Sequence, residues 1–174
     1  MKFLEIEDMK KLMNNCRNDI RVNNVSKVMI ATALYTGMRL AEVAGLTWNC
    51  VSFKKLRIKI NKTYNYNKGG GFKPTKNYSS NRTIDINPEL VSILKEWRLK
   101  QKEYFLAHGI KNPENYVFLN DRQHIISYNG VKKELDKLAV QLDIKSVTFH
   151  ALRHTHASFL IAKGVFPYIT FQNA

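Results

Sequence analysis

The chain has 174 residues, of which 44% are hydrophobic, and this composition excludes an intrinsically disordered chain. Lysine and arginine number 28 against 14 aspartate and glutamate, so the formal net charge of +14 favours a polyanionic partner. No apolar run is long enough to span a bilayer, no basic amphipathic helix points to a membrane surface, and acids near the N-terminus argue against an export signal. The sequence therefore predicts a cytoplasmic protein that binds nucleic acid and no membrane.

The first third of the sequence has the periodicity of three helices. Residues 5–18 carry apolar side chains at helical spacing and acids in the first turn. The apolar run VSKVMIATALYTG predicts a second helix, with Asn24 or Ser26 as its cap and Gly37 at its end. The segment RLAEVAGL predicts a short third helix that Gly45 closes.

A β region follows. The segments CVSF, LRIKINKTY and RTIDI carry β-branched and alternating residues and predict one small antiparallel sheet, with NYNKGGGFKPTKNYSSN as a loop between the last two. The glycine run at 69–71 continues into FKPTK toward a strand. A phosphate-binding loop would continue into Gly-Lys-Ser/Thr and a helix, so the run is predicted to be the flexible tip of a hairpin.

The basic residues concentrate in the same region. Residues 51–82 contain nine Lys and Arg and no Asp or Glu, and four aromatic residues are interleaved with them: Tyr64, Tyr66, Phe72 and Tyr78. Basic side chains neutralise phosphates, and aromatic rings can lie against sugars or bases. This stretch is therefore predicted to grip nucleic acid.

The rest of the chain predicts three further helices. The first begins at Asn87 as cap with Pro88 in its first position, the second covers SYNGVKKELDKLAVQLD, and a short apolar piece, YVFL, lies between them. The third, TFHALRHTHASFLIAKG, is capped by Thr148 or Ser146 and ends at Gly164. The predicted fold class is mainly α with a small antiparallel β-sheet.

The last helix carries three histidines and an arginine in HALRHTHAS. A helical wheel gives a core stripe made of Phe149, Leu152, His156, Phe159 and Leu160. His156 is therefore interpreted as a hydrogen-bonded core histidine, whereas His150, Arg153 and His154 share the adjacent face.

His150 and His154 on that face have the i, i+4 spacing that zinc uses, which raises the alternative of a metal site. A zinc protease would have Glu where Ala151 stands, and no cluster of Cys or carboxylates offers further ligands. The two cysteines, Cys16 and Cys50, have no metal or redox spacing and are predicted to be buried thiols. No metal and no cofactor is predicted.

A second arginine lies near the start of the short third helix. In TGMRLAEVAGLTW, Arg39 and Glu42 share the side opposite the apolar stripe. A buried or half-buried arginine needs a partner, and Glu42 at i+3 is the expected one. By itself this is the pattern of a structural ion pair.

Together these motifs resemble the catalytic domain of the tyrosine recombinases, the integrase family of phages and transposons. TGMRLAEVAGLTW and HALRHTHAS stand about a hundred residues apart, in the family's order, and TKNYSSNRTIDI resembles the hairpin that carries the family's catalytic lysine, here Lys76. The resemblance covers residues 3–165. It implies that the family's separate N-terminal DNA-binding domains are absent from the sequence.

The resemblance implies a reaction in which a tyrosine attacks a DNA phosphodiester and forms a 3′-phosphotyrosine link without a metal. Arg39 and Arg153 would hold the nonbridging oxygens, with Glu42 in support. His150 would donate to the phosphate or move a proton, and Lys76 would protonate the departing 5′-oxygen. The implied double-stranded-DNA-binding residues are Lys62, Lys68, Lys73, Lys76 and Arg82.

The C-terminal residues depart from the family's pattern. The family continues beyond FLIAKGV with a further helix, a Gly-His motif and the tyrosine helix, whereas FPYITFQNA follows here. We expect residues 1–165 to be an incomplete catalytic domain and residues 166–174 an aberrant tail. The codons that could encode this tail permit a second reading, shifted by one base, that resembles the family's own continuation. A one-base deletion in the gene would therefore explain the tail. Tyr168 directly follows Pro167 and is not expected to be the nucleophile, so no nucleophile is assigned.

Three functions stay open on the sequence. The first is a recombinase catalytic domain that cannot cleave in cis because its tyrosine is missing. The second is a non-catalytic DNA-binding protein or an inhibitor of an intact integrase, and the third is cleavage with a tyrosine from a partner subunit. The resemblance also implies a bacterial or phage-encoded, nucleoid-associated protein. Apolar surface left uncovered predicts self-association or contact with other recombinase protomers.

Overall fold

The computed structural model describes residues 3–67, 69–74 and 80–164. Within these ranges the helices are α1 Ile6–Asn18, α2 Val25–Thr36, α3 Leu40–Ala44, α4 Pro88–His108, α5 Tyr128–Leu142 and α6 Phe149–Ala162. The strands are β1 Val51–Ser52, β2 Arg57–Ile60, β3 Lys62–Tyr64, β4 Phe72–Pro74 and β5 Arg82–Asp85. The predicted fold class, mainly helical with small antiparallel β structure, is confirmed.

Helix α2 is the centre of the core. Ten of its residues, from Val25 to Leu34, are buried, and α1, α4, α5 and α6 all pack against it. A helix that is apolar on every side is stable only when other elements surround it. Cys16 and Cys50 are both buried free thiols, as predicted.

The helix ends follow the local signals in the sequence. Gly37 and Gly109 terminate α2 and α4 with φ of 67° and 63°, a conformation that favours glycine. Asn87 caps α4 by accepting from the Leu90 N–H, and Thr148 caps α6 by accepting from the Ala151 N–H. Asn24 stands at the N-cap of α2 without a side-chain capping bond, after a single 3₁₀ turn.

The β region differs from the prediction of one sheet. Strands β1, β2 and β5 form one antiparallel sheet, and β3 pairs with β4 in a separate hairpin. Strand β4 lies inside the segment that was predicted to be a loop, directly after the glycine run. The three glycines, each with positive φ, turn the chain between β3 and β4, so their place in a hairpin turn is confirmed.

The β3–β4 hairpin is attached to the helices on both sides. Gly45, just after α3, lies so close to β3 that an added Cβ would be 2.8 Å from the Tyr64 nitrogen. The Tyr66 hydroxyl donates to the Ile126 carbonyl at 3.0 Å, and the Phe72 and Tyr116 rings are 4.6 Å apart. Tyr64, Tyr66 and Phe72 are therefore half-buried against other parts of the protein. The covered part of each ring cannot contact a sugar or a base, which corrects the prediction for that part. Tyr78 lies outside the described residues.

The core face of α6 is shorter than the helical wheel predicted. Its buried residues are Phe149, Ala151, Leu152 and Thr155. Phe159 and Leu160 are only half-buried, so the buried face of α6 ends with Thr155. In the ranges that the structure describes, no helix combines the length and apolarity needed to cross a membrane.

Candidate active site

Three of the residues singled out from the sequence line one open pocket. Arg39 enters it from the start of α3, and His150 and Arg153 enter it from α6. The pocket has a volume of about 140 Å³, and its remaining lining residues are Met38, Leu40, Phe149 and Tyr128. The structure therefore brings residues of the two distant motifs to one pocket.

Arg39 is presented to the pocket with its head group largely free. Its backbone N–H donates to Glu42 Oε2 at 2.9 Å, which fixes the first turn of α3. Its guanidinium Nη1 reaches Glu42 Oε1 at 3.4 Å, so the expected ion pair exists but is long. The side chain is 57% exposed, so the expectation of a buried or half-buried arginine was wrong.

Glu42 is the buried member of this group, and its main partner is Arg82. The Glu42 side chain is 3% exposed, and Arg82 donates to both of its oxygens at 2.8 and 3.0 Å. Burial raises the pKa of the Glu42 carboxyl, but the bonds from Arg82 and from the Arg39 backbone outweigh it and leave this pKa below its ordinary value. The sequence placed Arg82 among the DNA-binding residues, and its pairing with Glu42 was missed.

Arg153 is held by the turn that ends α2. Its Nη1 donates to the Gly37 carbonyl oxygen at 2.9 Å, and the side chain is half-buried. Burial, and then the nearby charge of Arg39, lowers the pKa of Arg153 from its ordinary value. Crowded cations of this kind are a favourable place for an anion, because the anion relieves their mutual repulsion.

The histidines of α6 divide as the wheel predicted. His156 is half-buried and its Nδ1 bonds the Leu34 carbonyl oxygen at 2.8 Å, as expected of a core histidine. Burial lowers the pKa of His156, which keeps the ring neutral. His150 is exposed at the pocket and lies edge-on to His154, with ring centroids 4.8 Å apart.

The other predicted DNA-binding residues lie along the β hairpin. Lys62 of β3 bonds Asn61 at 2.9 Å and the Cys50 sulfur at 3.3 Å, and Lys73 of β4 is exposed. Lys68 and Lys76 lie outside the described residues. Nowhere in the described part of the chain do three or more His, Cys, Asp or Glu side chains form a group that could hold a metal ion.

Comparison with known proteins assigns the family. The model of the phage integrase family matches residues 2–168. The chain belongs to the phage integrase family. Relatives within it include the integrase of Staphylococcus phage L54a, 30% identical over 172 residues that cover 94% of this chain and 49% of the relative. The ICEBs1 integrase of Bacillus subtilis is 28% identical over 99% of this chain and 46% of its own length.

Solved structures of integrases and recombinases share the fold of this chain. The Tn1549 transposon integrase in complex with transposon right-end DNA superposes with a TM-score of 0.75 at 21% identity, covering 94% of this chain and 54% of that one. The XerA recombinase gives 0.69 at 21% identity, covering 94% of this chain and 50% of that one. The chain therefore spans about half the length of the family members that it matches.

Proposed function

We propose that residues 3–164 form the phosphate-binding part of the active site of a DNA strand-exchanging integrase. One observation carries this proposal: Arg39, His150 and Arg153 line the same pocket although they come from two motifs far apart in the chain. Two guanidiniums and an imidazole beside an open pocket suit the nonbridging oxygens of a phosphodiester. The relatives named integrase and recombinase support the same conclusion.

The proposed reaction exchanges one phosphoester bond for another. A tyrosine hydroxyl gives up its proton, which His150 would accept, and its oxygen attacks the phosphorus. The bond to the 5′-oxygen breaks, and the 5′-oxygen takes up a proton, which Lys76 would supply. Arg39 and Arg153 would stabilise the extra negative charge on the nonbridging oxygens in the transition state. Attack by another strand's 5′-hydroxyl reverses the step, rejoins the DNA and releases the tyrosine.

The charge around the pocket supports an anionic ligand. The charged groups that act on Arg153 are Arg39, Arg82 and Glu42. Counting Arg153 itself, three guanidiniums face one carboxylate, so the group carries an excess of positive charge before any ligand binds. The proposed macromolecular partner is double-stranded DNA, with exposed basic residues of the β region, such as Lys59 and Lys73, as further phosphate contacts.

We propose that the nucleophile does not come from the pocket-lining residues. Tyr128 lines the pocket and is 48% exposed, so an experiment must exclude it as the nucleophile.

Self-association or contact with other recombinase protomers is proposed from the end of α6, where Ile161 is 61% exposed beside the half-buried Phe159 and Leu160. Sedimentation velocity at increasing protein concentration tests this, and a monomer throughout would contradict it.

Fluorescence anisotropy with a labelled nicked duplex tests DNA binding. Arg39→Ala and Arg153→Ala should each weaken binding by about 5- to 50-fold, because each removes a charge-assisted contact to the phosphodiester that the pocket would bind. Arg21→Ala is the matched control, since Arg21 is 62% exposed, pairs with Asp19 and does not line the pocket. Equal affinities for the wild type and both pocket variants would contradict the proposal.

A covalent-trapping assay tests the source of the tyrosine. A duplex whose nick lets the cleaved fragment diffuse away is incubated with the chain, and adducts that survive denaturation are separated by electrophoresis. We expect none from the chain alone, and an adduct when a family member with an intact tyrosine but substituted pocket arginines is added. An adduct formed by the chain alone, mapped by mass spectrometry to Tyr128, would assign the nucleophile there instead.

A further inference from the structure

We propose that Arg82 is a positioning residue, which binds the buried carboxylate of Glu42 and thereby leaves the Arg39 guanidinium free to bind a DNA phosphate. This inference rests on the proposed function of the pocket. It assigns Arg82 a role inside the protein, whereas the sequence alone placed it among the direct contacts to DNA.

The geometry between Arg82 and Glu42 is that of a closed pair. Nη1 donates to Oε1 at 2.8 Å and Nη2 donates to Oε2 at 3.0 Å, so both terminal nitrogens of the fork are used. Glu42 is 3% exposed and Arg82 is 32% exposed. The two N–H groups that bind Glu42 are therefore not available to a phosphate in solvent.

Glu42 also makes two contacts with Arg39, one to its backbone and one to its guanidinium, and the backbone contact is the shorter. Oε2 accepts the Arg39 backbone N–H at 2.9 Å, which is a firm bond, whereas the Arg39 guanidinium stands at 3.4 Å from Oε1. Arg82 therefore satisfies the carboxylate, and Arg39 keeps a weak side-chain contact and a head group exposed toward the pocket. Without Arg82, the buried carboxylate would lack a close cation, and Arg39 is the nearest available replacement.

The backbone of Arg82 is held in place independently of Glu42. Arg82 opens β5 and lies opposite Ile60 in the antiparallel pairing with β2, and Ile60 is buried. The guanidinium thus joins the sheet to α3 at a fixed point. This arrangement suits a residue that sets the position of a neighbour, because little of its own side chain needs to be ordered when the ligand arrives.

The neutral double variant separates this role from direct DNA contact. Arg82→Gln alone leaves Glu42 charged, so Arg39 is drawn away from the pocket, and we expect nicked-duplex affinity to fall about tenfold. In Arg82→Gln/Glu42→Gln no carboxylate competes for Arg39, and affinity should return to within about twofold of the wild type. A double variant as weak as the single, with the salt dependence of binding reduced by about one phosphate contact, would overturn the proposal.

A second comparison shows whether the effect passes through Arg39. In an Arg39→Ala background, Arg82→Gln should cause no further loss of affinity, because the residue that it positions is gone. A direct phosphate contact, or a general disturbance of the fold, would still add its own loss. Arg82→Lys serves if Arg82→Gln does not fold: it keeps the charge but not the fork, and we expect an affinity about threefold below the wild type. Wild-type affinity of Arg82→Lys would contradict the positioning role.

Arg57 and Asp85 supply the matched control pair. They form a 2.8 Å ion pair on the same sheet, but both side chains are exposed, at 56% and 81%. The change in affinity from Arg57→Gln to Arg57→Gln/Asp85→Asn measures the general effect of removing a carboxylate charge. The recovery at Arg82 and Glu42 must exceed that change, and an equal recovery in both pairs would overturn the proposal.

The two proposals fail in different ways. If Arg39→Ala binds the nicked duplex as well as the wild type does, the proposed function of the pocket is wrong. If Arg39→Ala weakens binding but the neutral double variant is not restored, the pocket stands and the role assigned to Arg82 is wrong.

Discussion

Arg153 of α6 donates a hydrogen bond from Nη1 to the Gly37 carbonyl oxygen, 2.9 Å away and 116 residues earlier in the chain. Gly37 ends α2 with a φ of 67°, and its α-carbon faces the His156 ring of the same α6. The turn after α2 therefore contacts both the pocket side and the core side of α6. Because Arg39 follows two residues later, this turn also sets the distance between the two pocket arginines.

Gly37→Ala should destabilise the protein and disturb the pocket. An added Cβ would stand 2.8 Å from His156 Cδ2, and the ring cannot easily move because its Nδ1 is bonded to Leu34. The positive φ adds a backbone cost, and together we expect about 2–4 kcal/mol from strain and overpacking. Thermal unfolding followed by circular dichroism measures the loss.

Gly109→Ala is the control for the backbone cost alone. Gly109 ends α4 with a φ of 63°, and no atom lies within 4 Å of the position of its added Cβ. We expect a loss of about 1 kcal/mol, from the left-handed conformation only. Equal losses for both variants would show that the His156 ring yields to the methyl group, contrary to this account.

Gly45→Ala tests how the β3–β4 hairpin is attached to α3. The φ of Gly45 is −84°, which any residue adopts, so the effect is purely steric. The added Cβ would lie 2.8 Å from the Tyr64 nitrogen and 2.9 Å from the Thr63 carbonyl carbon, and backbone atoms cannot rotate away. We expect a loss of about 1–3 kcal/mol in the free energy of unfolding, measured by urea titration.

Gly130→Ala gives the matching case with a side-chain neighbour. Its added Cβ would lie 2.8 Å from Ile126 Cγ1, which can shift by rotation about its side-chain bonds, and alanine favours the helix at this position in α5. We expect a change within about 1 kcal/mol of the wild type. A greater loss for Gly130→Ala than for Gly45→Ala would contradict the tight contact between α3 and β3.

The elements that the sequence predicted well are those with local signals. Gly37 stops α2, Asn87 and Pro88 start α4, and Thr148 starts α6 through interactions within a few residues of each position. The same periodicity placed His150 and Arg153 on one face of α6. Such features depend on short stretches of backbone, so a single sequence is enough to read them.

The features that were missed depend on contacts between distant segments. Arg82 and Glu42 are 40 residues apart. Nothing in the sequence near either residue indicates that the guanidinium of Arg82 binds the buried carboxylate of Glu42. Strand β4 exists because Phe72 and Pro74 pair with β3 across a glycine turn, which local β propensity does not reveal. A helical wheel shows which face of α6 is apolar, but the depth of burial at Leu160 depends on how far the neighbouring elements extend.

The ionised state of Glu42 predicts a loss of stability in acid. The folded pKa of Glu42 lies below its ordinary value of 4.5, so protonation favours the unfolded chain. The stabilisation is complete above about pH 4.5 and is lost as the pH falls through the lower, folded pKa. The difference in unfolding free energy between the wild type and Glu42→Gln should therefore shrink below pH 4.5.

Urea titrations at several pH values measure that difference. Asp85→Asn, which removes an exposed carboxylate from the same sheet, supplies the baseline for a general change in charge. A constant difference between the wild type and Glu42→Gln from neutral pH to pH 3 would mean that the folded carboxyl is not held in its charged form.

Arg153→Lys should separate binding of DNA from reaction on it. Lysine keeps the positive charge, but one ammonium cannot bond the Gly37 carbonyl and also present a planar pair of donors to two phosphate oxygens. We expect nicked-duplex affinity to fall by no more than about threefold, since the charge remains. The yield of covalent adduct formed with the tyrosine-bearing partner should fall by about 100-fold or more, because the fixed donors act mainly in the transition state.

Arg21→Lys, which changes an arginine outside the pocket, should leave both the affinity and the adduct yield as in the wild type. Parallel losses in affinity and in adduct formation for Arg153→Lys would mean that Arg153 serves binding alone, and the pocket would then hold DNA without favouring the transition state.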